Sequence, residues 1–467
     1  MKRKSLGLFP LLSLALITLL SQTTPVLASP DGNYPGEAQI NWLIRQQNLH
    51  NSGLVQSYED GNNLNAYIFD QALAIVAFTA SGEVEKAKEI LNVMKGLQLT
   101  DVNNVWVECY DVNDPNKATN CDKRVTGPIA WMVIAINFYE CKTKDSNYAP
   151  MARMAFEWLD ALRITEENDE RRGSLKYSDV DPNISTEHNI DAYSAYYWRG
   201  MLDANDSDVN KASLIMDYLR REMWAPSPNS NEPCDLSGAV VFWEGFGPKG
   251  YAFSTDPQSW GVLALGAFGP DGEEFYKSLD WLWYSPWGNT RTVQDFNDRI
   301  EDVNGFKSGT GEPNDYVWVD GTEHAVAAYY SVSREGYKEK GDLFHTDMRR
   351  IIDINNGGLV HSFCQTDPNT IRWPENFRYN YVASAAWYYF NEARINPFNL
   401  RPCFAECRAA NIDKAGKVAF IDYAIFALDW LETGSDPYLA GDINRDGRVN
   451  RIDLDILTEY WLKDCNE

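Results

Sequence analysis

Between residues 36 and 395 the apolar positions recur with the period of a helix rather than a strand. Twelve segments carry the pattern, near 36–49, 66–81, 83–99, 127–143, 148–164, 187–204, 207–224, 256–268, 272–284, 321–333, 335–353 and 381–394. They alternate in kind. One set is apolar nearly all round and rich in small residues: Ile68–Phe78, Gly127–Phe138, Ile190–Trp198, Trp260–Phe268, Ala325–Val332 and Val382–Phe390. The other is one-faced, as where Val84, Ala87, Ile90, Leu91, Met94 and Leu97 run amid Glu85, Lys86, Lys88 and Glu89. A helix apolar on every side is buried on every side. Six such helices alternating with six amphipathic ones predict two concentric rings.

That arrangement is an all-α (α/α)6 barrel. Its competitors are an irregular helical domain and an open solenoid. Six pairs, long irregular loops ahead of the inner helices and the lack of a short repeat period favour the closed ring.

The N-terminus departs from the pattern. Met1-Lys2-Arg3-Lys4 leads into an apolar run from Leu6 to Leu20, then Val26-Leu27-Ala28 before Ser29. A basic start, a short apolar core and small residues at a cleavage point predict a signal peptide over 1–28, cut after Ala28, with the barrel domain over 29–398. The run is shorter than the ~20 residues a membrane span requires. No other stretch is long and apolar enough, so an exported or cell-surface protein is expected. Eight cysteines suit an oxidising compartment, and Cys109 with Cys121, flanking a polar loop, are the best local pair. Formal charge is −25 and becomes more negative without Lys2, Arg3 and Lys4. Nucleic acid and anionic membranes, which need basic patches, are therefore poor partners. Aromatic content of 13% suits stacking on sugar faces as well as packing a barrel interior.

In such a ring the inner helices run parallel and their N-termini gather at one mouth, where polar residues collect. The first inner helix follows Tyr58-Glu59-Asp60 and carries Asp70 early. The third opens Thr186-Glu187-His188-Asn189, the fourth Thr255-Asp256 ahead of Trp260, and the fifth Asp320-Gly321-Thr322-Glu323-His324 after Trp318. The sixth follows Trp373 and Arg378-Tyr379. Helix capping accounts for any single acid here, with Ser185, Thr255 and Thr322 as N-cap candidates. Two Thr-Glu-His triplets resist that account: of five histidines, two head otherwise buried helices.

Two mechanisms fit. Glycoside hydrolysis needs two carboxyls, one to protonate the leaving oxygen and one to activate water or attack. Asp70, Glu187, Asp256 and Glu323 are candidates, with His188 and His324 beside them, and Tyr58, Asp60, Trp260, Trp318, Trp373, Arg378 and Tyr379 would line the sugar. A polysaccharide lyase would instead abstract a proton beside a uronate, using His188 with Asn189, Tyr193, His324, Arg378 or Tyr379. A catalytically silent carbohydrate-binding or surface protein is the third class. No cofactor is inferred for catalysis.

The last sixty-odd residues carry the sharpest motif. In Asp442-Ile443-Asn444-Arg445-Asp446-Gly447-Arg448-Val449-Asn450-Arg451-Ile452-Asp453, oxygen side chains fall at loop positions 1, 3, 5, 9 and 12, with glycine at 6. This spacing wraps a chain around Ca²⁺: Asp442, Asn444, Asp446, Asn450 and Asp453 are the ligands, with the carbonyl of Arg448 at position 7. Asn411, Asp413, Gly416 and Asp422 form a weaker copy, in which Ala415 and Ala419 replace donors at positions 5 and 9. Each loop precedes an apolar stretch ending Trp430-Leu431 or Trp461-Leu462. The tandem, over 403–465, resembles a type I dockerin, which implies bound calcium, a cohesin-like partner and attachment to a polysaccharide-degrading enzyme. With it, the twelve-helix pattern resembles the six-hairpin glycosidase superfamily and the lyases sharing its barrel. That resemblance is architectural.

Overall fold

The computed structural model describes residues 36–60, 62–117, 119, 121–226, 240–246, 253–269, 272–284, 289–294, 300–309, 316–352, 356–363 and 379–400, together with 420–428 and isolated positions of the tail. The expected signal segment, Trp373, Arg378 and the calcium ligands Asp442, Asn444, Asp446, Arg448, Asn450 and Asp453 lie outside the described residues.

All twelve expected helices are present. The outer ones are α1 (Glu37–Asn48), α3 (Val84–Thr100), α5 (Ala149–Ala161), α7 (Asp206–Tyr218), α9 (Lys277–Tyr284) and α11 (Tyr337–Arg350). The inner ones are α2 (Ile68–Ser81), α4 (Thr126–Thr143), α6 (Thr186–Leu202), α8 (Thr255–Leu265), α10 (Val319–Ser331) and α12 (Val382–Glu392). Each inner helix packs on the next, and α12 returns to α2, so the ring closes. Outer α3, α5, α7, α9 and α11 pack on the inner helix before them, while α1 covers α12. The open solenoid is excluded by the α12–α2 contact. In the tail, α13 (Phe420–Leu428) follows the weaker loop, with Asp422 and Phe426 buried and Trp430 edge-on to Phe426.

The connections before the inner helices are not the irregular loops expected. β1 (Asn65–Tyr67) pairs with β2 (Cys109–Asp111), and β3 (Ile184–Ser185) with β6 (Gly245–Phe246). A further pair joins β4 (Trp224–Pro226) to β5 (Val240–Phe242). β7 (Asn289–Gln294), β8 (Ile300–Phe306), β9 (Val317–Trp318) and β10 (Ser362–Phe363) form an antiparallel sheet ordered β10-β9-β8-β7. Isolated bridges Tyr58↔Tyr381, Val125↔Ser178 and Ser254↔Gly309 complete a rim of short pairings at the helix entries. The Cys109–Cys121 disulfide sits in this rim.

A repeated clasp fixes each entry. The fourth residue of three inner helices grips one residue of a rim segment by both backbone groups. Gln71 holds Val55 (2.8 and 2.8 Å), Asn189 holds Leu175 (2.8 and 3.1 Å) and Gln258 holds Phe242 (2.9 and 2.7 Å). A buried amide satisfied at both ends orients its helix without leaving a polar group unpaired. Of the three N-cap candidates only Ser185 caps, accepting from the His188 N–H at 3.3 Å. Thr255 and Thr322 lie inside their helices, and their hydroxyls donate to the carbonyls of Lys307 and Trp318.

Candidate active site

In a helix the second and sixth residues share one face, a turn apart. Along the inner ring those positions hold Gly127/Trp131, Glu187/Asp191, Asp256/Trp260, Asp320/His324 and Ala383/Trp387. The sixth residues of α4, α8, α10 and α12 converge into an aromatic floor. Ring centroids lie 5.4 Å apart for Trp131–Trp260, 6.0 Å for Trp131–Trp387, 5.4 Å for Trp260–His324 and 5.7 Å for His324–Trp387. From beneath, Phe398 packs on Trp131 at 4.7 Å, its carbonyl accepting from the Trp198 indole at 2.6 Å. The bore is thus filled at the far end, and chemistry belongs at the mouth.

Above the floor stand carboxyls from four inner helices: Asp70 from α2, Glu187 and Asp191 from α6, Asp256 from α8 and Asp320 from α10. Asp320 feels both Asp256 and Asp70, and Asp191 feels Glu187 and Asp256, so the acids form one electrostatic group. Asp70, Asp191 and Asp320 are buried. Both oxygens of Asp70 and of Asp191, and one of Asp320, lack a well-formed hydrogen bond. Burial disfavours the charged form. It pushes Asp70 up to about 7, although the hydroxyls of Ser57 and Tyr381 approach and offset part of the effect. Asp191 and Asp320 are driven well above the usual carboxylate range by burial and then by neighbouring acids. Glu187 is half-buried, and Asp256, although buried, keeps 12% of its side chain exposed.

Three histidines ring this group, each pushed down to about 3 by burial and therefore neutral. His188 stacks on Tyr177 at 4.7 Å, in space that exists because residue 127 is glycine: a Cβ there would overlap its ring. His361 lies 5.1 Å from the ring of Tyr381, which stacks on Tyr58 at 4.5 Å. His324 sits among Trp260, Trp318 and Trp387, its Nδ1 2.7 Å from the Ser259 hydroxyl. Its Nε2 is 3.1 Å from Asp256 Oδ1, off the line of a good hydrogen bond.

The mouth brings together Tyr58, Asp70, Glu187, His188, Asp256, Trp260, Trp318 and His324 of the residues expected from sequence. It does not bring Glu323. Strand β9 hands over to α10 at Val319, so the second Thr-Glu-His triplet falls nearly a turn deeper than the first, and its glutamate turns to the outer ring. There Glu323 is fully buried, paired with His345 Nδ1 at 3.0 Å and held by Asn391. Asp60 is also elsewhere: its side chain closes a turn by accepting from the Asn62 N–H at 3.0 Å. Tyr379 is half-buried at the rim, its carbonyl accepting from the His361 N–H at 3.0 Å.

Tyr381, Trp131 and Trp387 are site residues that the sequence reading passed over, while Asp320 and Asp191 stand at helix starts that it marked without choosing them as candidate acids. The missed signal was positional: Asp191 stands four residues after Glu187, and Asp320 four before His324.

No protein-family model matches the chain, and no curated protein matches it in sequence. Solved structures do. A D-mannose isomerase is similar at 13% identity with a TM-score of 0.55, over 80% of this chain and 99% of that one. A glycosidase variant in complex with glucose is similar at 12% identity with a TM-score of 0.50, over 77% of this chain and 96% of that one. At these identities the likeness is one of fold, and it agrees with a closed barrel of six helical hairpins.

Proposed function

We propose that this chain is a secreted glycoside hydrolase acting on a poly- or oligosaccharide at the barrel mouth. One observation carries the reading: carboxyls from four inner helices meet above an aromatic floor, some forced to keep protons while others reach the mouth. Hydrolysis of a glycosidic bond needs that division of labour. Asp70, which gives up its proton near pH 7, is assigned as proton donor to the leaving oxygen. Asp256, more open, is assigned as the carboxylate that activates water or attacks the anomeric carbon, with Glu187 beside it. Trp260, Trp318 and Tyr58 would supply the apolar faces on which a sugar ring rests. Asp256 and Glu187, the acids that reach the mouth, would keep the local field negative, so that a cationic transition state is stabilised, while Asp320 and Asp191, held protonated, would act as hydrogen-bond donors.

The lyase alternative fits less well, because Glu187 and Asp256, the acids that keep exposure to the mouth, would repel a uronate carboxylate there. Incubation with a panel of polysaccharides separates the readings. New reducing ends without unsaturated product support hydrolysis, an unsaturated uronate supports elimination, and binding without product supports the silent class.

Export after cleavage at Ala28 belongs to the same reading. So does a dockerin-like tail over 403–465 that holds calcium through Asp442, Asn444, Asp446, Asn450, Asp453 and the carbonyl of Arg448. An all-oxygen donor set with a glycine turn suits that hard cation. The tail would fasten the enzyme to a cohesin-like or cell-surface partner. Calorimetry of the full chain with calcium should give one strong site, lost in Asp453→Ala.

A further inference from the structure

The contact of His324 with Ser259 has no part in the division of labour just described. Ser259 is the fifth residue of α8 and Asp256 the second, so both belong to the first turn and a half of one helix. The Ser259 hydroxyl is buried 2.7 Å from His324 Nδ1, and also 3.1 Å from the carbonyl of Thr255 and 3.2 Å from that of Asp256. The opposite ring nitrogen faces Asp256 Oδ1 at 3.1 Å.

We infer that Ser259 is a positioning residue for Asp256, acting through the tautomer of His324. The inference rests on the reading of Asp256 as part of the hydrolytic site. A neutral imidazole carries one proton, and which nitrogen bears it is set by the partner of the other. When the hydroxyl donates to Nδ1, the proton sits on Nε2 and supports ionised Asp256. When the hydroxyl turns to a backbone carbonyl it accepts from Nδ1–H, and bare Nε2 then faces Asp256 across 3.1 Å and favours its protonated form. A hydroxyl that both donates and accepts thus leaves the ring a partner in either protonation state of the carboxyl. Alanine at 259 removes that choice. An unpaired ring N–H is the costlier orphan, so the proton stays on Nε2 and ionised Asp256 is favoured. The other groups around Asp256 are Asp320 on α10 and Asp191 on α6, with Lys307 buried where β8 meets the start of α8. Ser259→Ala changes none of them.

The test is the pH–rate profile of Ser259→Ala beside Ser259→Thr and Asp256→Asn. The expected result for alanine is a shift of one limb to lower pH by about half a unit or more, with kcat down roughly tenfold and KM nearly unchanged. Threonine, which restores the hydroxyl, should return the limb toward its original place. Nitrogen NMR of the His324 ring, read without substrate, should show both tautomers in the native protein and the Nε2–H form alone in Ser259→Ala. An unshifted limb together with an unchanged ring spectrum would overturn the inference. If Asp256→Asn keeps full turnover, the hydrolytic assignment fails instead, and the ring spectrum still decides the role of Ser259. Should Ser259→Ala not fold, the ring spectrum of Ser259→Cys, whose thiol is a weak partner, decides in its place: a spectrum like the native one contradicts the inference, and enrichment of the Nε2–H form supports it.

Discussion

Residues 323 and 324 are neighbours on one helix, yet they belong to opposite regimes. Glu323 faces the outer ring and is fully satisfied: His345 takes one end of it, Asn391 donates to it, and His345 reaches on to Glu392, which also holds Arg349. Burial pulls His345 down, but Glu323 and Glu392 overcome it and hold the ring charged, at about 9. Glu392 is correspondingly held at about 2, against the effect of its own burial. His324 faces the mouth, where burial pushes it down to about 3 and where the buried oxygens of Asp70 and Asp191 lack a well-formed hydrogen bond. One region sets Glu323 and Glu392 against His345, Asn391 and Arg349, and the other buries Asp70 and Asp191 without a well-formed hydrogen bond. Paired carboxylates hold a fold, whereas unpaired ones stay protonated near neutrality and are available for proton transfer.

The comparison breaks most visibly in turnover. Asp70→Asn should lower kcat by ~10²-fold or more while leaving the fold intact, because it removes the assigned proton donor. Glu323→Gln, corrected for folded fraction, should stay within about twofold of the native protein. Equal losses in the two variants would erase the distinction. In stability the ranking reverses. Glu323→Ala leaves a buried imidazolium short of a partner and should cost about 3–5 kcal/mol in denaturant unfolding. Asp70→Asn should cost little or even stabilise at pH 8.

Linkage sharpens the same contrast. The folded value of Asp70 lies above its unfolded 3.8, so its contribution is full below about 3.8 and is lost as pH rises through about 7. His345 contributes fully below 6.5 and loses its contribution through about 9, while Glu392 contributes above 4.5 and fails only near 2. These two contributions should therefore fade in turn as pH rises, that of Asp70 between about 3.8 and 7 and that of His345 between 6.5 and about 9. Asp70→Asn should remove the step below neutrality and His345→Gln the one near 9. A smaller effect is expected at Gly127, where alanine collides with His188. A cost of about 1–3 kcal/mol in unfolding and a disturbed Tyr177–His188 stack are expected. Unchanged stability would mean that the ring moves aside freely.

The helical ring was legible because its cause is periodic: a buried helix must be apolar all round, and that shows in any window of the chain. The strands at the rim were not, because Asn289–Gln294 and Ile300–Phe306 are polar-rich, and most of the others are two or three residues long and pair across long gaps in sequence, as Asn65–Tyr67 does with Cys109–Asp111. That pairing decided the site. Once β9 fixes the start of α10 at Val319, the inward positions become Asp320 and His324, and Glu323 is excluded. An expectation that aligned the two Thr-Glu-His triplets by sequence could not see that their helices begin at different offsets. Asp256 and Glu187 were legible because they stand in the first turn of helices whose starts the apolar pattern marked well.

The most direct test of the hydrolytic mouth is chemical rescue at Asp256. Asp256→Ala should lose turnover by ~10²-fold or more and regain a measurable part of it when formate supplies a carboxylate to the space left behind. Native turnover in Asp256→Ala without formate, or an unsaturated uronate as the product of the native protein, would contradict the account.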